Sequence, residues 1–221
     1  MKYDLHTHTK YSPRCGVTEP KKLVNTAIKK GLDGIAVTDH DTIKGALEAK
    51  KFETPDFGVI IGCEVSTDKG ELIGLFLQDE ITSTSPEDVI EDIHNQGGIV
   101  VVPHPFDEYR SKRFSSLSEY YKQIDAIEVF NSRCIKEKSN EAARRFANKN
   151  NLLMVGGSDA HYLNEVGLGY TDFFWVDDLT RDNMMYALEK SKINIRGKKS
   201  SLMNHARTKI RKWSKDFVTY R

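Results

Sequence analysis

GLDGIAVTDHDT, residues 31–42, holds the pattern on which the fold turns. Residues 19–30 before it are amphipathic and read as a helix capped by Thr18, and Gly31 just past their end supplies the left-handed turn that stops a helix. Residues 34–38 are a short apolar run that ends at Asp39 and His40, and a second helical pattern covers 43–51. Helix, buried strand and helix in close succession is the unit of a parallel sheet with helical crossovers. Its polar pair falls at the strand's C-terminal end, where such folds place their sites.

The unit recurs along the chain. Strands are expected at 3–5, 59–63, 99–103, 126–130 and 152–156, with a seventh at 170–176, and residues 71–77 read as an extra strand in a hairpin-like excursion after Glu64. Helices are expected at 86–95 after Ser85, at 136–149, and at 181–189 after Thr180, with Gly97 and Gly98 as helix stops. No Pro, Gly or Ser-rich linker divides residues 1–195, so they form one expected domain, followed by a basic extension at 196–221. Six or seven β-α units in that length fit either an open doubly wound sheet or a barrel slightly smaller than the eight-unit form.

Composition removes other classes. Lys and Arg number 33 against 32 Asp and Glu, which excludes a wholly basic polynucleotide binder. The balance hides a split: residues 196–221 hold nine bases and one acid, leaving 24 bases against 31 acids in residues 1–195. No run approaches the roughly 18 apolar residues of a membrane span, and the start MKYDLHTHTK lacks the apolar stretch of a signal peptide. Three cysteines without CxxC spacing argue against a disulfide framework or a thiolate zinc site. A reducing, cytoplasmic setting is expected.

Five of the seven histidines stand at or just beyond the ends of expected strands. The first strand leads to His6 and His8, the second to Asp39 and His40, the third to Glu64, the fourth to His104, the fifth to Glu128 and Asn131, the sixth to Asp159 and His161. A lone histidine is usually an ordinary packed or surface residue, which is the reading for His94 and His205. Core packing, however, does not require an ionisable group at the same end of six successive strands. An open sheet would spread those ends over about 25 Å, whereas a barrel brings them to one face. Imidazole and carboxylate without thiolate suit zinc, manganese or iron, and the set exceeds the four ligands of one tetrahedral ion. Two or three divalent ions, acting on a phosphate ester, are the expectation.

The stretches DLHTHTKYSP at 4–13, GLDGIAVTDHDT at 31–42, GCEVS at 62–66, VVPHPF at 101–106, IEVFNSR at 127–133 and GGSDAH at 156–161 together resemble the PHP family, named for polymerase and histidinol phosphatase. The resemblance covers residues 2 to about 176. It implies a distorted (β/α)7 TIM-like barrel and a metal-dependent phosphoesterase. It further implies His6, His8, Glu64 and Asp159 as ligands of a first ion with Glu64 bridging, His104 on a second, and His40 and His161 on a third or facing the leaving oxygen. Glu128 and Asn131 stand where many members add a histidine. Ser12, Pro13 and Cys15 stand where members with three ions usually carry Asp or His. The hydrolytic reading makes Asp159, His161, His40, Arg14 and Arg133 the catalytic candidates.

Phosphate recognition requires cations on the same face. Arg14, Arg110, Lys112, Arg113 and Arg133 are the substrate-binding candidates, with Lys10 nearby and Phe106 or Tyr109 available to stack on a ring. The substrate is expected to be a small phosphorylated molecule or nucleotide, as monoester or diester, or a nucleic-acid end. The rival reading is a non-catalytic RNA- or protein-binding barrel like those among ribonuclease P protein subunits. In the basic extension, Leu202, Ala206, Ile210, Trp213 and Phe217 recur at helical spacing among Arg207, Lys209, Arg211, Lys212 and Lys215. Such an amphipathic basic helix either packs its stripe on the barrel or lies on nucleic acid, an anionic surface or a partner.

Overall fold

Short β-branched runs and one tight hairpin build the sheet of the computed structural model, which describes residues 1–13 and 15–219, residues 212 and 215–219 by backbone alone. β1 (Lys2–Thr7), β2 (Gly34–Val37) and β3 (Gly58–Thr67) run parallel. β4 (Gly70–Leu75) turns back antiparallel to β3, and β5 (Ile99–Val102) is antiparallel to β4. β6 (Ala126–Asn131) and β7 (Leu153–Gly157) continue parallel to β5. β8 (Gly169–Phe173) lies antiparallel to β1, and β9 (Ile193–Gly197) antiparallel to β8. The order across the sheet is β7-β6-β5-β4-β3-β2-β1-β8-β9.

Helices cover the outside. They are α1 (Pro20–Lys29), α2 (Lys44–Lys50), α3 (Pro86–Asn95), α4 (Leu117–Tyr120), α5 (Glu137–Asn150), α6 (Arg181–Glu189) and α7 (Leu202–Thr219). Tyr3, Leu5, Ala36, Ile60, Ile73 and Val101 pack into one buried cluster drawn from successive strands, and Met184, Ala187 and Leu188 of α6 join it. No helix of the described residues is long and apolar enough to cross a membrane. The three cysteines are buried and free of disulfides.

The sheet curls until its β7 side meets β1, so the barrel is nearly closed. Just past β7, Ala160 bridges to Thr7, with the His8 amide donating to the Ala160 carbonyl at 2.9 Å and the Ala160 amide to the His6 carbonyl at 3.3 Å. Gly157 makes the approach possible, since a Cβ there would lie 2.5 Å from the His6 Cβ. The buried Asp4 carboxylate ties the same seam, accepting from the Ser158 amide at 2.8 Å, the Ser158 hydroxyl, and the Gly167 amide at 2.8 Å.

Several expectations are corrected. The expected barrel is present, with nine strands in place of seven; β4, expected as the hairpin excursion after Glu64, pairs antiparallel, as do β8 and β9 beyond β1. β4 does so because only Asp68 and Lys69 separate it from β3, too few residues for a crossover. Glu64 lies within β3 rather than at its end, because that strand continues to Thr67. β9 escapes sequence reading because its residues are only partly buried, and it runs across the domain boundary drawn at 195/196. Ser85 and Thr180 cap α3 and α6, whereas Glu19 takes the cap position of α1 and Thr18 instead donates to the His161 carbonyl. Gly31 and Gly97 take the left-handed conformation, and Gly98 does not. The apolar stripe of α7 does not pack on the barrel: Leu202, Ile210 and Trp213 are exposed, while Asn204 and Thr208 are buried. The Phe217 side chain lies outside the described residues.

Asp4→Ala would leave the buried Ser158 amide and the partly buried Gly167 amide without an acceptor, at a cost of about 2–5 kcal/mol. A Tm fall of roughly 5–20 °C is expected by circular dichroism for a chain of this size. Asp4→Asn, which keeps one acceptor oxygen, should fall less.

Candidate metal centre

β1 and the residue just past its end deliver His6 and His8 to the seam, and their Nε2 atoms face one another at 3.1 Å. Two imidazole lone pairs cannot meet at that distance, so a shared proton or a cation has to lie between them. Glu64 Oε2 stands 3.4 Å from each of these nitrogens and 3.2 Å from His40 Nδ1. Asp159 Oδ1 stands 3.2 Å from His8 Nε2, 3.4 Å from His161 Nδ1 and 3.7 Å from His6 Nε2. Both oxygens are buried and have no hydrogen-bond partner among the described residues. An orphaned carboxylate oxygen surrounded by imidazole nitrogens suits a divalent cation.

Four overlapping sets of three donors lie within 4.8 Å of one another: His8, His40 and His161; His6, His8 and Glu64; His6, His104 and Asp159; His40, Glu64 and Glu71. The clustered His, Glu and Asp residues suggest divalent metal binding. Glu71 was not among the residues singled out from the sequence. It lies on β4 opposite Ser66, two residues beyond Glu64, so the hairpin register places both glutamates on one face. An acid spaced in alternation with apolar residues, as Glu71 is with Ile73 and Leu75, was the available signal.

The rear of each ring is held. His6 Nδ1 lies 3.2 Å from Glu128 Oε1, and His8 Nδ1 lies 3.2 Å from the Ser12 hydroxyl, which donates to Asp39 Oδ1 at 2.8 Å. His161 Nδ1 is 2.9 Å from the Asp159 carbonyl. Such contacts fix ring orientation and tautomer. Glu128 Oε2 accepts from the His104 amide and from Asn131 Nδ2, both at 2.9 Å. Glu128 and Asn131 thus sit behind the donor sets, bonded to protein groups. Asp159 Oδ2 accepts from Arg110 Nη2 and, at 3.3 Å, from Asn131 Nδ2, leaving Oδ1 turned to the histidines.

Electrostatics follow from this packing. Burial opposes ionisation of Glu64 and Asp159, yet His40 and His6 around the first, and Arg110 and His6 around the second, hold both well below the ordinary carboxylate range. Burial likewise opposes a charge on His6, but Asp159, Glu128 and Glu64 outweigh it and raise its pKa. Burial, His8 and Arg133 drive His161 down, and burial with Arg110 lowers His104, so both rings stay neutral.

A cavity of about 520 Å³ opens above the cluster, with His40 and His161 at its floor. Tyr109, Arg110 and Lys112 line one side, and His205, Thr208 and Lys209 of α7 another. Of the candidate cations, Arg110 reaches the cluster, and Lys112 donates to Ser66 at 2.7 Å on the rim. Arg113 faces an adjoining cavity with Lys69. Arg133 is buried, its Nη1 donating to both oxygens of Glu165 at 2.7 and 2.8 Å. Lys10 pairs with Glu19 at 2.9 Å on the surface, and Arg14 lies outside the described residues. Phe106 packs on Phe146, which leaves Tyr109 as the exposed ring of that loop. His94 pairs with Asp125 at 2.9 Å, away from the site.

Comparison with known proteins follows the same lines. Residues 4–157 match the model of the PHP domain, and residues 137–193 that of a PHP-associated segment. An uncharacterised protein of Methanocaldococcus jannaschii is 32% identical over 216 residues, which cover 93% of this chain and 86% of that one. A second from the same organism is 42% identical over 144 residues, 60% of this chain and 82% of that one. Among solved structures, a two-domain protein from Bacteroides vulgatus containing a predicted PHP-like metal-dependent phosphoesterase superposes with a TM-score of 0.73 at 20% identity, over 90% of this chain and 65% of that one.

If ions bind here, they stabilise the fold by mass action. Adding Mn²⁺ or Zn²⁺ at 100 times its Kd to chelator-treated protein should add about 2.7 kcal/mol, read as a Tm rise of roughly 5–10 °C. Glu64→Gln should remove most of that rise. A Tm indifferent to metal in the wild type would speak against binding.

Proposed function

The chain belongs to the PHP family, and from its site we propose that it is a metal-dependent phosphoesterase acting on a small phosphorylated molecule. The observation that carries this reading is the pair of orphaned oxygens, Glu64 Oε2 and Asp159 Oδ1, aimed into a ring of imidazoles beneath a cation-lined cavity. His6, His8, Glu64 and Asp159 would hold a first ion and His104 a second, and His40 would serve a third, either with His8 and His161 or with Glu64 and Glu71. Zinc, manganese and iron all suit this donor set. Bound ions of this kind supply Lewis-acid charge on phosphoryl oxygens and lower the pKa of water.

The protein's own groups do the rest. Arg110, fixed against Asp159 and Asp107, stands at the mouth of the cluster, where a guanidinium can neutralise phosphoryl oxygens. Arg133 also lines the cavity, but its charge is paired with Glu165, so its part is to hold the cavity wall in place. His161, kept neutral, suits a ligand better than a proton donor. Where no third ion is held, His40, at the cavity and more exposed than His161, is placed to give a proton to the leaving oxygen. A cavity walled on two sides favours a small ester over a polymer crossing the site.

Turnover of p-nitrophenyl phosphate with added Mn²⁺ or Zn²⁺ tests the reading. Asp159→Ala and His8→Ala should each lose at least about a thousandfold in kcat/KM, or roughly 4 kcal/mol of transition-state stabilisation. Equal activity in wild type and both variants would overturn it, and a metal content below one ion per chain after purification without chelator would favour a non-catalytic scaffold.

A further inference from the structure

α7 lies beyond both matched segments, which end at residue 193. Its inward face is polar. Asn204 Oδ1 accepts from Asn164 Nδ2 at 3.5 Å and its Nδ2 donates to the Ser200 hydroxyl at 3.2 Å; Thr208 Oγ1 accepts from Arg133 Nη2 at 3.0 Å; Arg211 Nη2 donates to the Gly16 carbonyl at 2.8 Å. Residues 204, 208 and 211 share one side of the helix. Leu202, Met203, Ile210 and Trp213 are left exposed. A helix placed to bury apolar area would be turned the other way. Hydrogen bonds set this orientation, and they belong to the network that holds the floor of the cavity: Glu165, which grips Arg133, also accepts from the His161 amide at 3.0 Å and from the Ser200 hydroxyl.

That orientation has a consequence for His205 and Lys209. They stand one helical turn apart, and both line the cavity that Arg110, Lys112, His40 and His161 also line. Lys209 adds a charge to a lining that holds Arg110, Lys112 and Arg133 against the acids Asp41 and Asp107. His205 is half-buried, and burial together with Arg133 and Arg110 lowers its pKa to about 4, so it presents a neutral ring. The volume of about 520 Å³ falls within the range of small-molecule sites and leaves room for an organic group beside a phosphate.

We propose that α7 is a wall of the substrate site, with Lys209 pairing with the phosphoryl group and His205 contacting the organic part of a phosphorylated small molecule. This rests on the phosphoesterase reading and assigns binding residues outside the barrel. Calorimetric titration of inorganic phosphate into Mn²⁺-loaded full-length protein tests the first half. Lys209→Glu should weaken phosphate roughly tenfold or more, while Arg207→Glu, the same charge change on the same helix but lining a different cavity, should stay within about twofold. Equal weakening by both, or by neither, overturns the Lys209 assignment. For the second half, His205→Ala and His205→Gln should raise KM for p-nitrophenyl phosphate with kcat and phosphate affinity little changed, in proteins whose melting curves match the wild type. An unchanged KM in both overturns it. Wild type that hydrolyses no phosphate ester yet binds phosphate through Lys209 would remove the activity and keep the wall. Full activity with normal phosphate binding by Lys209→Glu would do the reverse, and no phosphate binding by the wild type removes both.

Discussion

Everything at the site depends on the junction between β1 and the chain just past β7. His6 comes from β1, His8 from just past it, and Asp159 from beyond β7, which lies six places away in the sheet order. On a flat sheet those strands would stand roughly 29 Å apart at about 4.8 Å per neighbour. Closure brings Asp159 Oδ1 to 3.2 Å from His8 Nε2. The seam rests on two backbone hydrogen bonds around Ala160, on the absence of a side chain at Gly157, and on Asp4, whose buried carboxylate would be costly without the donors of Ser158 and Gly167. The chemistry and the topology are therefore not separable: a looser seam would still leave a folded sheet, but one without a shared point for the donors.

The centre is also held against its own strain. His104 and Asp159 have left-handed backbone, at φ 32° and 56°, as does Asp41 at 56° beside His40. Such non-glycine conformations cost on the order of 1–3 kcal/mol each and persist where the surroundings over-determine them. Here the surroundings are visible. Glu128 accepts from the His104 amide, Arg110 and Asn131 grip Asp159, and Asp41 accepts from the Ser66 amide at 2.6 Å and the Ser66 hydroxyl at 3.0 Å. Asp39 fixes the loop after β1 through Thr9 and Ser12, and a Cβ at Gly45 would fall 1.8 Å from its Oδ2. Residues behind the donors, Glu128 and Asn131 among them although the sequence offered both as ligands, thus decide whether the donors point inward.

Sequence periodicity made much of this legible, because the apolar runs are short, fully buried and punctuated at one end by His, Asp or Glu. The barrel, its helices and the histidine positions follow from that recurrence. What stayed hidden depends on contacts between distant residues. Glu71 required knowing that β3 and β4 pair with Ser66 opposite Glu71. Glu165 has no distinguishing neighbour in sequence, and its role appears only once Arg133, His161 and Ser200 surround it. Arg110 looked like one loop charge among three, and only the fold of residues 105–116 brings it alone to Asp159.

The C-terminal helix shows the limit of a pattern argument most directly. Its apolar spacing identifies a helix, but hydrophobic periodicity assumes that the apolar face turns inward. That holds only where the receiving surface is apolar. The surface beneath α7 is Arg133, Ser200, Asn164 and the Gly16 carbonyl, so the polar face docks and the apolar one is left to water. This inversion bears on the charge split between the acidic body and the basic extension. A body with 31 acids and 24 bases repels a phosphate at long range, and cations held among its clustered acids would offset only the acids they touch. An anion entering the cavity meets instead the local field of Arg110, Lys112 and Arg133 from the barrel and Lys209 from α7. Within a Debye length of about 8–10 Å those nearby charges govern, and because Asp41 and Asp107 line the same cavity, Lys209 of α7 matters by raising the excess of cations over acids along its wall.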